Sequence, residues 1–531
     1  MKRRLAYANV MEPVPQTARA DKSQVLNDTG GYVFEVDDMS FVKRFLVLGT
    51  EGGTYYVTEK AHTMRASNKL INIIENRGLE VVQMIVDVSH RGLAIKNDAA
   101  LFLLAMCTSS KNAEVKKAAL EALTSVARIP THLYHFLEFA KQFRGWGRAF
   151  KRTVANWMLS KDAENLAFIF TKYAQRDGYS AKDVLRLAKP KPITEDQDMV
   201  FKYIAKGILE NNNESKAYQY LNAVETLKTL EKSKDIVALT EKFKIPMEIV
   251  PTDKRDKQVY SSVVKSAGMT WILRNLANLS RHDVINSNAE GREIVKLIQS
   301  KFTDEEQLRK ARIHPIAILN ALETYKKGNS RDNRWTVNSN ILNVLNKAFY
   351  KSFEFVEPMN KRVYFGLDCS RSMYGTWSLK PDDILQPATI GACFALAFLK
   401  KESDVVFKGF NDTMQPINVH SECSLEEVIR TTQKVNWGST NCALPMLDAM
   451  ENNIPVDLFV ILTDNDVNTG RIHPFEALKQ YRKKMNINAK LVVMATSATL
   501  FTIADPSDAG MLDIVGFSPD VFTVIKNFVE L

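Results

Sequence analysis

The sequence predicts a two-part chain: an α-helical repeat region over residues 1–355, followed by a doubly wound α/β domain over residues 356–531. Three observations predict it. The 531 residues are too many for one ordinary core. From about residue 65 to 350, apolar residues recur at three- and four-residue spacing. After "FEFVEPMNKR" (353–362), short runs rich in Val, Ile and Phe alternate with helical segments.

In the first part, "NKLINIIENRGLEVVQMIVDVSHRG", "NDAALFLLAMCTSS" and "NAEVKKAALEALTSVARIP" each carry an apolar stripe. Gly, Asn, Asp or Pro closes each stripe after one helix length. Consecutive amphipathic helices with short breaks imply stacked antiparallel pairs of the α-solenoid kind, without a strict sequence period. In the second part, strands are expected at Val363–Leu367, Val405–Phe410, Leu458–Leu462 and Leu491–Ala495. Helices are expected near 388–400, 424–435, 441–452 and 474–485. That alternation builds a mostly parallel sheet covered on both faces, whose ligands sit at the carboxyl ends of its strands.

Hydrophobic content of 45% and charged content of 25% describe a soluble globular protein. The longest apolar stretches, Ala99–Cys107 and Gly391–Leu399, fall short of the roughly 20 residues of a membrane span. The start "MKRRLAYANVMEPVPQ" is basic without an apolar run, so no secretory signal is expected. Five scattered cysteines without C-x-x-C fit free thiols in a reducing cytoplasm. Charge is divided unequally. Residues 356–531 hold 16 Lys+Arg against 21 Asp+Glu, and the rest holds 55 against 40, a net of +15. Such an excess serves either as a solvated surface or as a nucleic-acid face.

The chemistry is concentrated in "VYFGLDCSRSMYG" (363–375). Asp368 ends a strand, and in extended chain Ser370 and Ser372 share its side. "NWGSTNCAL" places Thr440 in a Gly-containing loop before a helix, and "LFVILTDND" ends a second buried strand at Asp464. Two carboxylates and three hydroxyls form an all-oxygen set suited to a hard six-coordinate divalent cation such as Mg²⁺. No nucleophile–base pattern, Walker A loop or H-E-x-x-H is present. His132 and His135 in "THLYHF" are read as packing or surface residues, and Trp146, Trp157 and Trp271 as core residues before base-stacking ones.

The five-residue set resembles the metal-ion-dependent adhesion site of von Willebrand factor A domains. The resemblance implies that the serines bind the metal directly, that the threonine and aspartates bind directly or through water, and that a partner's acidic group completes the shell. "FLVLGTEGGTYYVTEK", "ARIPTHLYHFLEFAKQF", "WGRAFKRTVANWM", "TKYAQRDGYSAKDVLRLAKPKP", "GMTWILRNL" and "ARIHPIAILNALETYKKG" resemble the TROVE module of the Ro autoantigen family, bacterial type. That resemblance implies a ring of HEAT-like repeats, small non-coding Y RNA on an outer basic surface, and single-stranded 3′ ends of misfolded structured RNA in a central hole. It also implies an exoribonuclease partner and a monomeric protein within a cytoplasmic ribonucleoprotein.

For the RNA role the residues expected are Arg144, Arg148, Lys151, Arg152, Lys172, Arg176, Lys182, Arg186, Lys189 and Lys191. The pairs Lys172/Arg176 and Lys182/Arg186 are spaced to share helix faces. Clustered cations on a rigid surface suit phosphates. Ala181 and Lys189 stand where the family commonly has histidine. The expected protein is a non-enzymatic RNA binder in RNA quality control. The alternatives are a protein-interaction scaffold that grips an acidic residue through its metal, and a metal-dependent nuclease.

Overall fold

The structure, a computed structural model, describes residues 13–49, 59–94, 96–209, 214–311, 313–330, 333–354, 356–374, 385–415, 417, 419–432 and 438–530. Residues 1–12 of the basic start, 50–57 of the "GTEGGTYYV" motif, Trp437 and the expected helical residues 433–435 lie outside these.

The chain divides into two compact units, one spanning Lys69–Glu354 and the other joining the described residues up to Asn68 to those from Val356 onward. The sequence expectation assigned all of residues 1–355 to the helical part; packing gives the amino-terminal segment to the α/β unit instead. The reason is non-local pairing. Strand Tyr32–Glu35 pairs antiparallel with Gln24–Leu26 and with Phe501–Thr502. From helix Asp38–Leu48, fully buried Arg44 bonds to Asp513 and to the carbonyls of Thr499 and Phe501. None of these partners is within 450 residues of Arg44 in sequence.

In the helical unit, side chains at the N-caps fix where helices begin. Asn112, Asp162, Thr194, Ser215, Asp256 and Asn288 each accept a backbone N–H of the first turn, and Ser180 with Asp183 makes a capping box. Apolar stripes then pack neighbouring helices together, Asp98–Cys107 on Pro130–Phe143 and Pro315–Lys326 on Ser339–Lys351 among them. The last helices return to the first. His314, at the N-cap of Pro315–Lys326, accepts the amide of Ile316 with Nδ1, and its ring also bonds the backbone of Leu93, after helix Glu59–Arg91. Burial pushes this imidazole down to about 4, so it stays neutral at physiological pH.

The α/β unit has a six-stranded sheet in the order Met511–Val515, Lys490–Ala495, Leu458–Thr463, Val363–Asp368, Val405–Phe410, Met414–Gln415. Adjacent pairs are parallel except the last, so the sheet is mixed. The two central strands are buried at every residue. Helix Pro387–Leu399, buried at every residue, packs with Phe394 and Phe398 against Phe522 at 4.7 and 5.1 Å. A second apolar cluster, built around Tyr364, Phe459, Leu478 and Tyr481, also includes Val33 and Phe34 of the amino-terminal segment. All five cysteines are buried thiols, none of them in a disulfide.

Arg44 supplies the first test. Arg44→Met should destabilise the α/β unit by about 3–5 kcal/mol, because it leaves Asp513 and two carbonyls without their donor. Urea unfolding measures this, and Arg44→Met with Asp513→Leu should recover part of the loss. Single-variant stability equal to wild type would mean the amino-terminal segment does not anchor the unit.

Candidate functional site

Strand Val363–Asp368 lies between Leu458–Thr463 and Val405–Phe410, and parallel register brings the ends of all three to one edge. Cys369 continues the ladder, donating its amide to the carbonyl of Phe410. The chain then turns, because the amide of Ser370 donates to Asp368 Oδ1 at 2.8 Å and a 3-10 turn, Arg371–Tyr374, begins. The extended i, i+2, i+4 geometry expected for Asp368, Ser370 and Ser372 is therefore replaced by a turn. It still brings the two serine hydroxyls within 3.2 Å of each other.

Asp464, just past the end of Leu458–Thr463, accepts the Ser372 hydroxyl and the amide of Asp466. Thr440 is held against the same loop: its amide donates to Asn468 Oδ1, and its carbonyl accepts the amides of Asn468 and Thr469. Gly438 in "NWGST" is required by space, since a Cβ there would lie 2.6 Å from Asp412 Oδ1 and 2.9 Å from the Asn411 side chain. All five expected residues are buried. Four are joined by hydrogen bonds or by charge, and Thr440 joins them through the 464–469 loop.

The donors are incompletely satisfied by the protein. Thr440 Oγ1 is buried with no hydrogen-bond partner among the described residues. Burial first, and then the charge of Asp464, push the Asp368 carboxyl up to about 7. Burial likewise raises Asp464. Among the described residues, no group of three or more His, Cys, Asp and Glu side chains is placed to hold a metal. The candidate is thus this mixed carboxylate–hydroxyl set. Its chemistry, two close acids and an orphaned hydroxyl, fits a hard divalent cation.

The basic residues lie on successive helices and turns of the other unit. Arg148, Lys151 and Arg152 are exposed in the first turns of helix Arg148–Leu159. Half-buried Arg144 spends a donor on the Thr108 carbonyl and covers the Phe150 ring. Lys182 and Arg186 share the exposed face of helix Ala181–Ala188, while exposed Lys189 caps it in a left-handed conformation and Lys191 follows. Lys172 and Arg176 do not share a helix face. Lys172 ends helix Ala163–Lys172, and Arg176 belongs to a two-stranded hairpin with Tyr179–Ser180. Asp177 and Gly178, both at positive φ, make its turn.

His132 and His135 are packed, as expected: His132 accepts the Arg128 amide, and His135 pairs with Asp177 and Asp98. Trp157 is fully buried and donates to the Ala127 carbonyl, whereas Trp146 and Trp271 are only partly buried.

Comparison with known proteins accounts for both units. The Ro60 vWA domain matches residues 362–529, and the TROVE domain matches residues 25–258 and 246–331. The chain belongs to the Ro60 family. The RNA-binding protein RO60 of Deinococcus radiodurans is 37% identical over 518 residues, 96% of each chain. That of Caenorhabditis elegans is 32% identical over 594 residues, 97% of this chain and 91% of its own. The crystal structure of the Deinococcus radiodurans RO (RSR) protein superposes with a TM-score of 0.71 at 35% identity, covering 93% of this chain and 99% of that one. The fold is therefore a helical region followed by a von Willebrand factor A domain with a central mixed sheet.

This Ro60-family site contains residues the sequence reading missed. Thr463 donates its hydroxyl to Asp368 Oδ2 at 2.6 Å, fixing the carboxylate from the neighbouring strand. Asp466 is buried, and among the described residues neither of its carboxylate oxygens has a hydrogen bond of ordinary geometry. Burial and the charges of Asp464 and Asp28 hold its carboxyl well above its usual range. Its two-residue spacing from Asp464 in "TDND" was the available signal. Asn27 braces this loop, donating to the Val467 carbonyl at 2.6 Å, and Gln16 bonds Asn441 at 2.7 Å. No local pattern points to these two.

The raised Asp368 carboxyl gives a pH test. Below about 4 it is protonated in both folded and unfolded chains; as pH rises toward 7 the unfolded chain ionises while the folded one resists, so stability is lost over that window. In chelator, Asp368→Asn should therefore melt a few degrees above wild type at pH 8, with the gap closing near pH 4. Differential scanning calorimetry that shows no gap at pH 8 would contradict the buried-charge description.

Proposed function

We propose that this protein is a non-enzymatic, monomeric RNA-binding component of a cytoplasmic ribonucleoprotein. It holds small non-coding Y RNA on the basic face of its helical unit and takes single-stranded 3′ ends of misfolded RNA into the hole of its ring. It thereby serves RNA quality control, or scaffolds an exoribonuclease. The observation that carries this reading is identity of 37% across 96% of a relative named as an RNA-binding protein. Charge supports it, because residues 69–354 hold 46 Lys+Arg against 32 Asp+Glu, a net of +14.

In the α/β unit the proposed cation is Mg²⁺, held by Ser370 and Ser372, with Thr440, Asp368 and Asp464 completing the set. Bound there, it would neutralise the paired carboxylates and offer a coordination position to an acidic group. Ser370 and Asp368 are oriented by the turn and by Thr463, so the site needs little rearrangement to accept the ion. A second, compatible role is capture of a partner protein's Asp or Glu at that open coordination position.

RNA with a single-stranded 3′ tail should bind more tightly than blunt duplex, with log affinity falling linearly against log salt. Changing Lys172, Arg176 and Arg186 together to Ala should reduce that slope by about 2–3, at roughly 0.7–0.9 per phosphate lost. Thermal unfolding should change little, since surface substitutions of this kind each stay within about 0.5 kcal/mol. Equal binding of blunt and tailed RNA would remove the threading role. Asp368→Ala should abolish calorimetric uptake of Mg²⁺ or Mn²⁺ and leave RNA affinity intact. Equal uptake by both proteins would defeat the metal assignment, and Mg²⁺-dependent cleavage of RNA by wild type alone would make the protein a nuclease.

A further inference from the structure

We propose that the cleft between helices Ala289–Thr303 and Ser339–Lys351 is a nucleotide subsite of the helical unit, which takes a phosphate and its base from single-stranded RNA. The proposal rests on the RNA-binding reading and adds a site built from other helices than the basic face already described.

The cleft has a volume of about 430 Å³, within the usual range of about 300–1,000 Å³ for ligand sites. Helix periodicity builds it. Arg292, Lys296 and Gln299 stand at i, i+4 and i+7 on one helix, and Asn340, Asn343 and Lys347 at i, i+3 and i+7 on the other. Between these polar walls lie Val295 and Val344, 5% and 3% exposed, as an apolar floor. Three cations line the cleft, and no acidic residue does among the described residues.

The backbone adds to this polarity. Asn338, the N-cap of the second helix, donates to the Ile285 carbonyl just before the first, so the positive ends of both helices lie together. Asn286 and Ser287 line the cleft at that end.

The chemistry is selective. Cations alone would suit any anion, whereas Gln299 and Asn343 each offer a donor and an acceptor, which matches the edge of an unpaired base. The two nearly buried valines close the bottom of the cleft, so a ligand is held by its polar walls. Lys296 is shared with Glu293 at 2.9 Å, but both side chains are more than 70% exposed, and such a pair yields readily to phosphate. Arg292 spends one donor on the Ser287 carbonyl at 2.7 Å, which orients the guanidinium at the mouth.

The test uses the full chain, a short fluorescent oligouridine as probe and uridine monophosphate as competitor. Lys296→Gln with Lys347→Gln should weaken oligouridine binding about tenfold. It should also make the log–log salt slope shallower by about 1.4, for two phosphate contacts at about 0.7 each. Independently of any variant's folding, photocrosslinking of a 4-thiouridine oligomer should label peptides 286–299 and 340–347. Wild-type protein that binds no RNA would overturn the RNA reading itself. RNA binding with unchanged affinity and slope in the variant, and crosslinks elsewhere, would overturn the cleft alone. Retained oligouridine affinity with loss of uridine monophosphate binding would overturn its assignment to an RNA strand.

Discussion

Burying negative charge at the carboxyl edge of a parallel sheet is the constraint on which the α/β unit turns. Asp368 ends one strand and Asp464 directly follows its neighbour; both are buried, with hydroxyls and amides but, among the described residues, no cationic side chain as hydrogen-bond partner. Two such carboxylates cannot both ionise cheaply in a dry setting. Either one keeps a proton or a cation enters. The proposed cation would meet a prepared set: Thr463 and the Ser370 amide hold Asp368, Ser370 and Ser372 present adjacent hydroxyls, and Thr440 keeps one with no partner among the described residues. The amino-terminal segment belongs to this economy of position. Asn27 braces the loop that carries Asp464, Gln16 holds Asn441 beside Thr440, and Arg44 ties down Thr499, Phe501 and Asp513, although the segment is separated from all of them by the whole helical unit in sequence.

The helical unit carries the opposite electrostatics, and its charge follows from helix periodicity. Once apolar stripes are turned inward, the remaining positions face water, and in residues 69–354 lysine and arginine outnumber acids there. Neutral, buried His314 links the last helices to the backbone after the first long one. That linkage gives the basic surface a fixed frame, as phosphate recognition by several separated cations requires.

Much of this was legible in the sequence. Apolar runs marked four strands to within a residue; in Val363–Asp368 and Leu458–Thr463 burial on both faces demands them, while half-buried Val405–Phe410 tolerates Lys408. Asp368 and Asp464 were readable for the same reason: a carboxylate at the tip of such a run needs a purpose. What escaped was made by distant contacts. Strands Gln24–Leu26 and Tyr32–Glu35 are too short to show a period, and their unit is decided by pairing with Phe501–Thr502. Lys172 and Arg176 have helical spacing, but Asp177-Gly178 turns the chain into a hairpin. The cleft at Val295 and Val344 joins residues about fifty apart, which only the packed helices bring together.

The central claim is that the oxygen cluster at the sheet edge exists for a cation. Crystals grown with Mn²⁺, with anomalous scattering measured at the manganese edge, test it directly. The account predicts one peak within about 2.0–2.3 Å of the Ser370 and Ser372 hydroxyl oxygens, lost in Asp368→Ala. No peak at saturating Mn²⁺, with Asp368 and Asp464 left to balance their charge by a shared proton, would contradict it.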